Sequence, residues 1–146
     1  MILKEQDLQI ALSKVKEVEF SINLIKERLP QTLEEFLKLD VLVRDGIYKR
    51  IEFAIQNILD ILAIIAKYVK ILPSDDMSLI RKLQQQGIIS RRIADKIREM
   101  KAFRNFLVHR YGDMFEEQAF RDIKDGLNDF YFVLDELKKT IRNIDP

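Results

Sequence analysis

The chain contains no cysteine. That excludes disulfides and thiolate-bound metals, and it fits a reducing, cytoplasmic setting. Only four glycines and three prolines punctuate its 146 residues, so long uninterrupted helices are expected. A single histidine leaves nothing from which to build an imidazole-rich metal cage. The first ten residues, MILKEQDLQI, lack the apolar core of a signal segment. The most apolar window, Ile51 to Ala66, is too short to cross a bilayer and carries Glu52, Gln56, Asn57 and Asp60. No membrane association is therefore expected.

What the chain does have is apolar residues at helical spacing and an uneven charge distribution. Hydrophobic residues make up 47% and charged residues 34%, which suits one domain spanning 1–146 with one core. Net charge is +1, yet residues 81–110 hold nine Lys/Arg against two acids. Such a stretch can attract phosphate, or it can simply be a solvated helix face.

Punctuation divides the chain into helices. The first is expected from about Leu3 to Leu29, ended by Pro30. Thr32 with Glu35 forms a capping-box pattern before the short LEEFLKL segment. A long helix follows, from Val41 or Ile47 to Ile71, with a possible kink at Asp45-Gly46. After a Pro73-Ser74-Asp75-Asp76 loop, a shorter helix is expected from Met77 to Gln86, with Gly87 at its C-terminal cap. Ser90 caps a helix to about Tyr111, and Asp113 with Glu116 opens the last one, Met114 to Ile144. No stretch alternates as a strand would. The expected fold is all-α, an antiparallel bundle of four to five helices. The Ile51–Ala66 helix should be central or at a subunit interface. Phe115, Phe120, Phe130, Tyr131 and Phe132 give the last helix enough aromatic surface to cover a partner as well as the core.

One helix breaks its own pattern. Ile93, Ile97, Met100, Arg104, Leu107 and Tyr111 follow the three-and-four spacing of a buried seam. A guanidinium there must pair, reach out to water or face a cleft, because burying it unpaired costs several kcal/mol. Tyr111 lies on the same face. His109 follows Arg104 by five residues, about 7–8 Å along the axis. It sits in the last turn of the expected helix. A cation, an imidazole and a phenol at one helix end suit phosphate chemistry. Read from residue types alone, a salt-bridged arginine and a capping histidine are the more usual occupants of such positions. Glu52, Gln56 and Asp60 form a polar stripe on the apolar helix. They are either surface residues partnering a basic group such as Arg104, or a second wall of the same cleft.

The run from Arg104 to Tyr111 matches an Arg-x4-His-x-Tyr pattern and resembles the HEPN superfamily, most closely the HepT-like ribonuclease toxins. The similarity extends from about residue 31 to the C-terminus, through IEFAIQNILDILAIIA, the Pro73 loop, KLQQQGIIS and IREMKAFRNFLVHRYGDM. It implies a two-fold helical homodimer and an endoribonuclease that needs neither metal nor cofactor. The enzyme would belong to a type VII toxin–antitoxin system. By position, Arg104 would stabilise the phosphate and His109 would move the proton of the ribose 2′-hydroxyl. Asn105 would help orient the site. Tyr111 would be the tyrosine on which an MntA-type nucleotidyltransferase antitoxin places AMP. In-line cleavage calls for a base and an acid, and a two-fold dimer would bring two copies of the lone histidine to one cleft. The rival readings are a non-catalytic nucleotide- or RNA-binding subunit of a nucleotidyltransferase, and a purely structural helical dimer.

Overall fold

The computed structural model describes residues 2–109 and 115–144, and every regular element among them is a helix. The helices are α1 (Ile2–Arg28), α2 (Leu33–Leu37), α3 (Val41–Tyr68), α4 (Asp76–Gln85), α5 (Arg91–Val108) and α6 (Phe115–Ile144). The caps explain most of the boundaries. Thr32 accepts from the Glu35 N–H, Asp40 from Leu42, Asp75 from Ser78 and Ser90 from Ile93, each meeting an amide that the first turn leaves without an intrahelical partner.

Two helices end in the same hydrogen-bonded turn. After α4, the Ile88 N–H reaches the Leu83 carbonyl and Gly87 reaches Gln84, with Gly87 at φ 73°. After α3, Ile71 reaches Ala66 and Lys70 reaches Lys67, with Lys70 at φ 62°. Both are Schellman endings. The second ends α3 at Tyr68, three residues before the expected Ile71, and a lysine takes the place glycine usually fills. At the other end, α3 runs unbroken from Val41 through Asp45-Gly46. Asp40 supplies the cap, so Gly46 neither starts nor stops the helix.

The core is one cluster centred on α3, whose Ile51, Ile55, Ile58, Ile61, Leu62 and Ile65 are fully buried. Against it α1 presents Leu8, Ala11, Val15, Val18, Ile22 and Ile25, all buried and spaced alternately by three and four. Each such Leu, Val or Ile side chain contributes about 1.5–3 kcal/mol when removed from water. Helix α6 closes the bundle with Phe120, Ile123, Phe130, Val133, Leu134 and Leu137. Tyr48, fully buried on α3, donates its hydroxyl to Glu116 on α6 and meets Phe115 edge-on at 5.4 Å. The aromatics of α6 are largely accounted for within the chain. Phe115, Phe120 and Phe130 are buried, Tyr131 donates to Asn23 (2.5 Å) and Phe132 lies under the Arg92 guanidinium. Among the described residues no helix is long and apolar enough to cross a membrane.

Candidate functional site

Helix α5 carries the seam. Ile93, Ile97, Met100 and Leu107 are buried as their spacing requires, and Arg104 is the one position of the described seam that is not. Its side chain is still only 18% exposed. The aliphatic stem lies along the bundle while the guanidinium turns to polar groups at its edge. One Nη donates to Gln56 Oε1 at 2.5 Å, and the other lies 3.9 Å from Asp76 Oδ2.

The polar stripe on α3 therefore does meet Arg104, through Gln56 rather than through either acid. The contact continues outward. Gln56 Nε2 donates to Asp60 Oδ1 (2.9 Å), and Lys14 of α1 donates to Asp60 Oδ2 (3.3 Å) and Asn57 Oδ1 (3.4 Å). Five side chains from α1, α3 and α5 thus form one polar strip at the margin of the core. Asp76 adds a sixth from the first turn of α4. Its part is not readable from the sequence: it lies 28 residues from Arg104 in what looks like a loop, and only antiparallel packing of α4 on α5 brings the two together. The packing is marked independently by Arg98, which donates to Gln84 at 2.9 Å.

His109 is the C-cap of α5, one residue beyond Val108. It is exposed, and its N–H donates to the Asn105 carbonyl at 3.1 Å. Asn105 is exposed on the same last turn. The helix thus ends at Val108, three residues before the expected Tyr111. Tyr111 itself lies outside the described residues, as do Arg110, Asp113 and Met114.

The basic stretch is largely engaged locally. Arg91 and Arg98 pair with Asp95, Lys96 with Glu99 and Asp129, and Lys82 donates to the Leu72 carbonyl. Arg92 covers Phe132. This is mostly a solvated, salt-bridged face, and Arg104 stands apart from it in being packed against the core. A cavity of about 480 Å³ opens between α3, α5 and α6, but its lining sets Glu99, Asp122, Asp125 and Asp129 against Lys96, an acidic balance that would repel phosphate. Neither Arg104 nor His109 lines it. The candidate site is thus the open end of α5 and the facing stripe of α3.

A family model described as "Ribonuclease HepT-like" matches residues 18–139. The chain belongs to the HepT-like ribonuclease family. A protein of Archaeoglobus fulgidus named "Putative RNase" is 22% identical over 135 residues, covering 92% of this chain and 96% of that protein. Two crystal structures of mutants of the toxin–antitoxin MntA-HpeT share the HepT-like fold. One aligns with a TM-score of 0.78 at 20% identity, over 90% of this chain and 98% of its own. The other gives 0.76 at 19% identity, over 89% and 98%. The all-helical bundle expected from the sequence is thus the HepT-like fold, and the resemblance drawn from Arg104, His109 and Tyr111 leads to the right family.

Proposed function

We propose that this HepT-like protein is a metal-independent endoribonuclease toxin, with Arg104 and His109 as its catalytic residues. The observation that carries the reading is Arg104. In a member of a ribonuclease family, a guanidinium is set into an apolar seam and presented at the rim, one and a half turns from an exposed imidazole. RNA brings its own nucleophile. His109 accepts the 2′-hydroxyl proton as that oxygen bonds to phosphorus. The phosphorus–5′-oxygen bond breaks, and the departing oxygen takes a proton from a second acid. Cyclic phosphate and 5′-hydroxyl ends result. Arg104 offsets the charge that builds on the phosphoryl oxygens, and Asn105 orients the scissile group. A two-fold homodimer supplies the second acid from the other copy's imidazole.

Control follows the same logic. A nucleotidyltransferase antitoxin of the MntA type would transfer AMP to Tyr111, adding bulk and negative charge two residues beyond His109. The similarity to toxin–antitoxin structures supports such a partner, and the reading places its action in the cytoplasm, beside the RNA it would cut.

The test is cleavage of RNA with chelator present, wild type beside His109→Ala. General acid–base loss predicts a fall of about 10²–10⁴-fold, with cyclic phosphate ends on the wild-type products. Equal cleavage by both proteins would remove His109 from the mechanism. A purely structural reading draws on the Asp76 contact, which makes Arg104 an ion-paired seam residue. It predicts no cleavage and a marked loss of stability in Arg104→Ala.

A further inference from the structure

We infer that Gln56 is a positioning residue for Arg104, and that Asp60 acts on the site only through Gln56. The inference rests on the ribonuclease reading for its link to turnover, but its structural content stands on the contacts alone.

A primary amide has one accepting end and one donating end. Gln56 uses both: its oxygen takes the Arg104 N–H and its nitrogen donates to Asp60. Rotating the amide by half a turn would set its NH2 against the guanidinium and its oxygen against the carboxylate, two repulsive contacts in place of two attractive ones. Asp60 therefore decides which end of Gln56 faces Arg104. Asp60 is itself held from the far side by the Lys14 ammonium, which also reaches Asn57. The order runs from α1 to α3 to α5.

The choice of an amide has a consequence for charge. A carboxylate at position 56 would hold the guanidinium more firmly but would neutralise it. A neutral carbonyl fixes the direction of Arg104 and leaves its full charge for an incoming phosphate. Asp76, the carboxylate that does approach, stands at 3.9 Å and is 40% exposed, so water and a phosphate can readily displace it. Arg104 is thus aimed by a neutral group and only loosely countered by a charged one. Its pre-set direction is the quantity on which transition-state stabilisation depends, since misplacement by about 1 Å can cost on the order of 10²-fold.

The experiment compares Gln56→Ala, Asp60→Ala, Asp60→Asn and the Gln56→Ala/Asp60→Ala double variant. Each is followed by RNA cleavage and by the side-chain 15N resonances of Arg104. Both alanine variants should lower kcat by about 10–10²-fold with a much smaller change in KM. The double variant should be no worse than either, because the two residues act in series. Asp60→Asn should not recover the rate, since its single oxygen is drawn to the Lys14 ammonium and its NH2 then faces the NH2 of Gln56. The restricted Arg104 Nη signals should be averaged in all of these variants. Full activity in Gln56→Ala, additive losses in the double variant, or wild-type activity in Asp60→Asn would each overturn the proposal. Absence of cleavage by wild type is a separate result that sinks the ribonuclease reading. In that case the resonances decide positioning, and a freely rotating Arg104 in wild type would end it.

Discussion

The two halves of the α5 seam obey the same spacing and serve different ends. In the first half Ile93, Ile97 and Met100 are buried against the bundle. In the second, Arg104 takes the next position, its stem packed and its head held by Gln56 and Asp76, before Leu107 returns to the core. Periodicity alone treats the two halves alike. Hydrophobic burial fixes the helix through the first half and through Leu107. The position between them, flanked by apolar contacts on both sides, holds a charge with little freedom to move. The stable half is thus what makes the half with the proposed catalytic arginine rigid, and substitutions in the two should separate stability from the proposed chemistry.

The largest expected effect on folding comes from the first half. Ile97→Ala leaves a void at a fully buried position and should cost about 2–5 kcal/mol in denaturant unfolding. The rate of cleavage per folded molecule should stay near wild type. A rate that fell with the stability would show the two halves to be coupled. Arg104→Met is the converse. It keeps a flexible stem of similar reach and removes the guanidinium along with its demand for polar partners. Stability should change by less than about 1.5 kcal/mol in either direction, while cleavage should fall by about 10²–10³-fold. A strongly destabilised Arg104→Met would mean that Arg104 is a structural strut after all, and would break the comparison.

How much of this was legible in the sequence depends on which physical term sets each feature. Helix existence follows from local periodicity, and the Thr32 and Ser90 caps and the Gly87 ending were readable because their partners lie within a turn. The end of α3 was not, because Lys70 adopts a left-handed conformation with no glycine to signal it. Arg104 stood out as a charge on a seam, and Gln56 as a polar interruption of an apolar helix. What joins them is the rotation of α3 against α5, set by the whole core and written in no short stretch. The same holds for Asp76, whose role appears only once α4 packs back on α5. Tyr111 and its proposed modification rest on the motif alone.

The smallest effect expected is also the most discriminating for the charge around Arg104. Asp76 opens α4, where a carboxylate favours the helix N-terminus, and its 3.9 Å approach to Arg104 is long and half in water. Asp76→Asn keeps a side chain of the same shape and loses the charge. The two contributions together should amount to less than about 1.5 kcal/mol, shrinking as salt is raised from low ionic strength to about 1 M. In cleavage the sign should reverse. With its weak competitor removed, Arg104 meets an incoming phosphate more readily, so KM should fall about two- to fivefold, a few tenths to one kcal/mol. The value of kcat should hold, because Gln56 still sets the direction of the guanidinium. A fall in kcat instead would make Asp76 a second support of Arg104. The seam position would then be held by charge as much as by the amide, which is the arrangement least able to release its arginine to RNA.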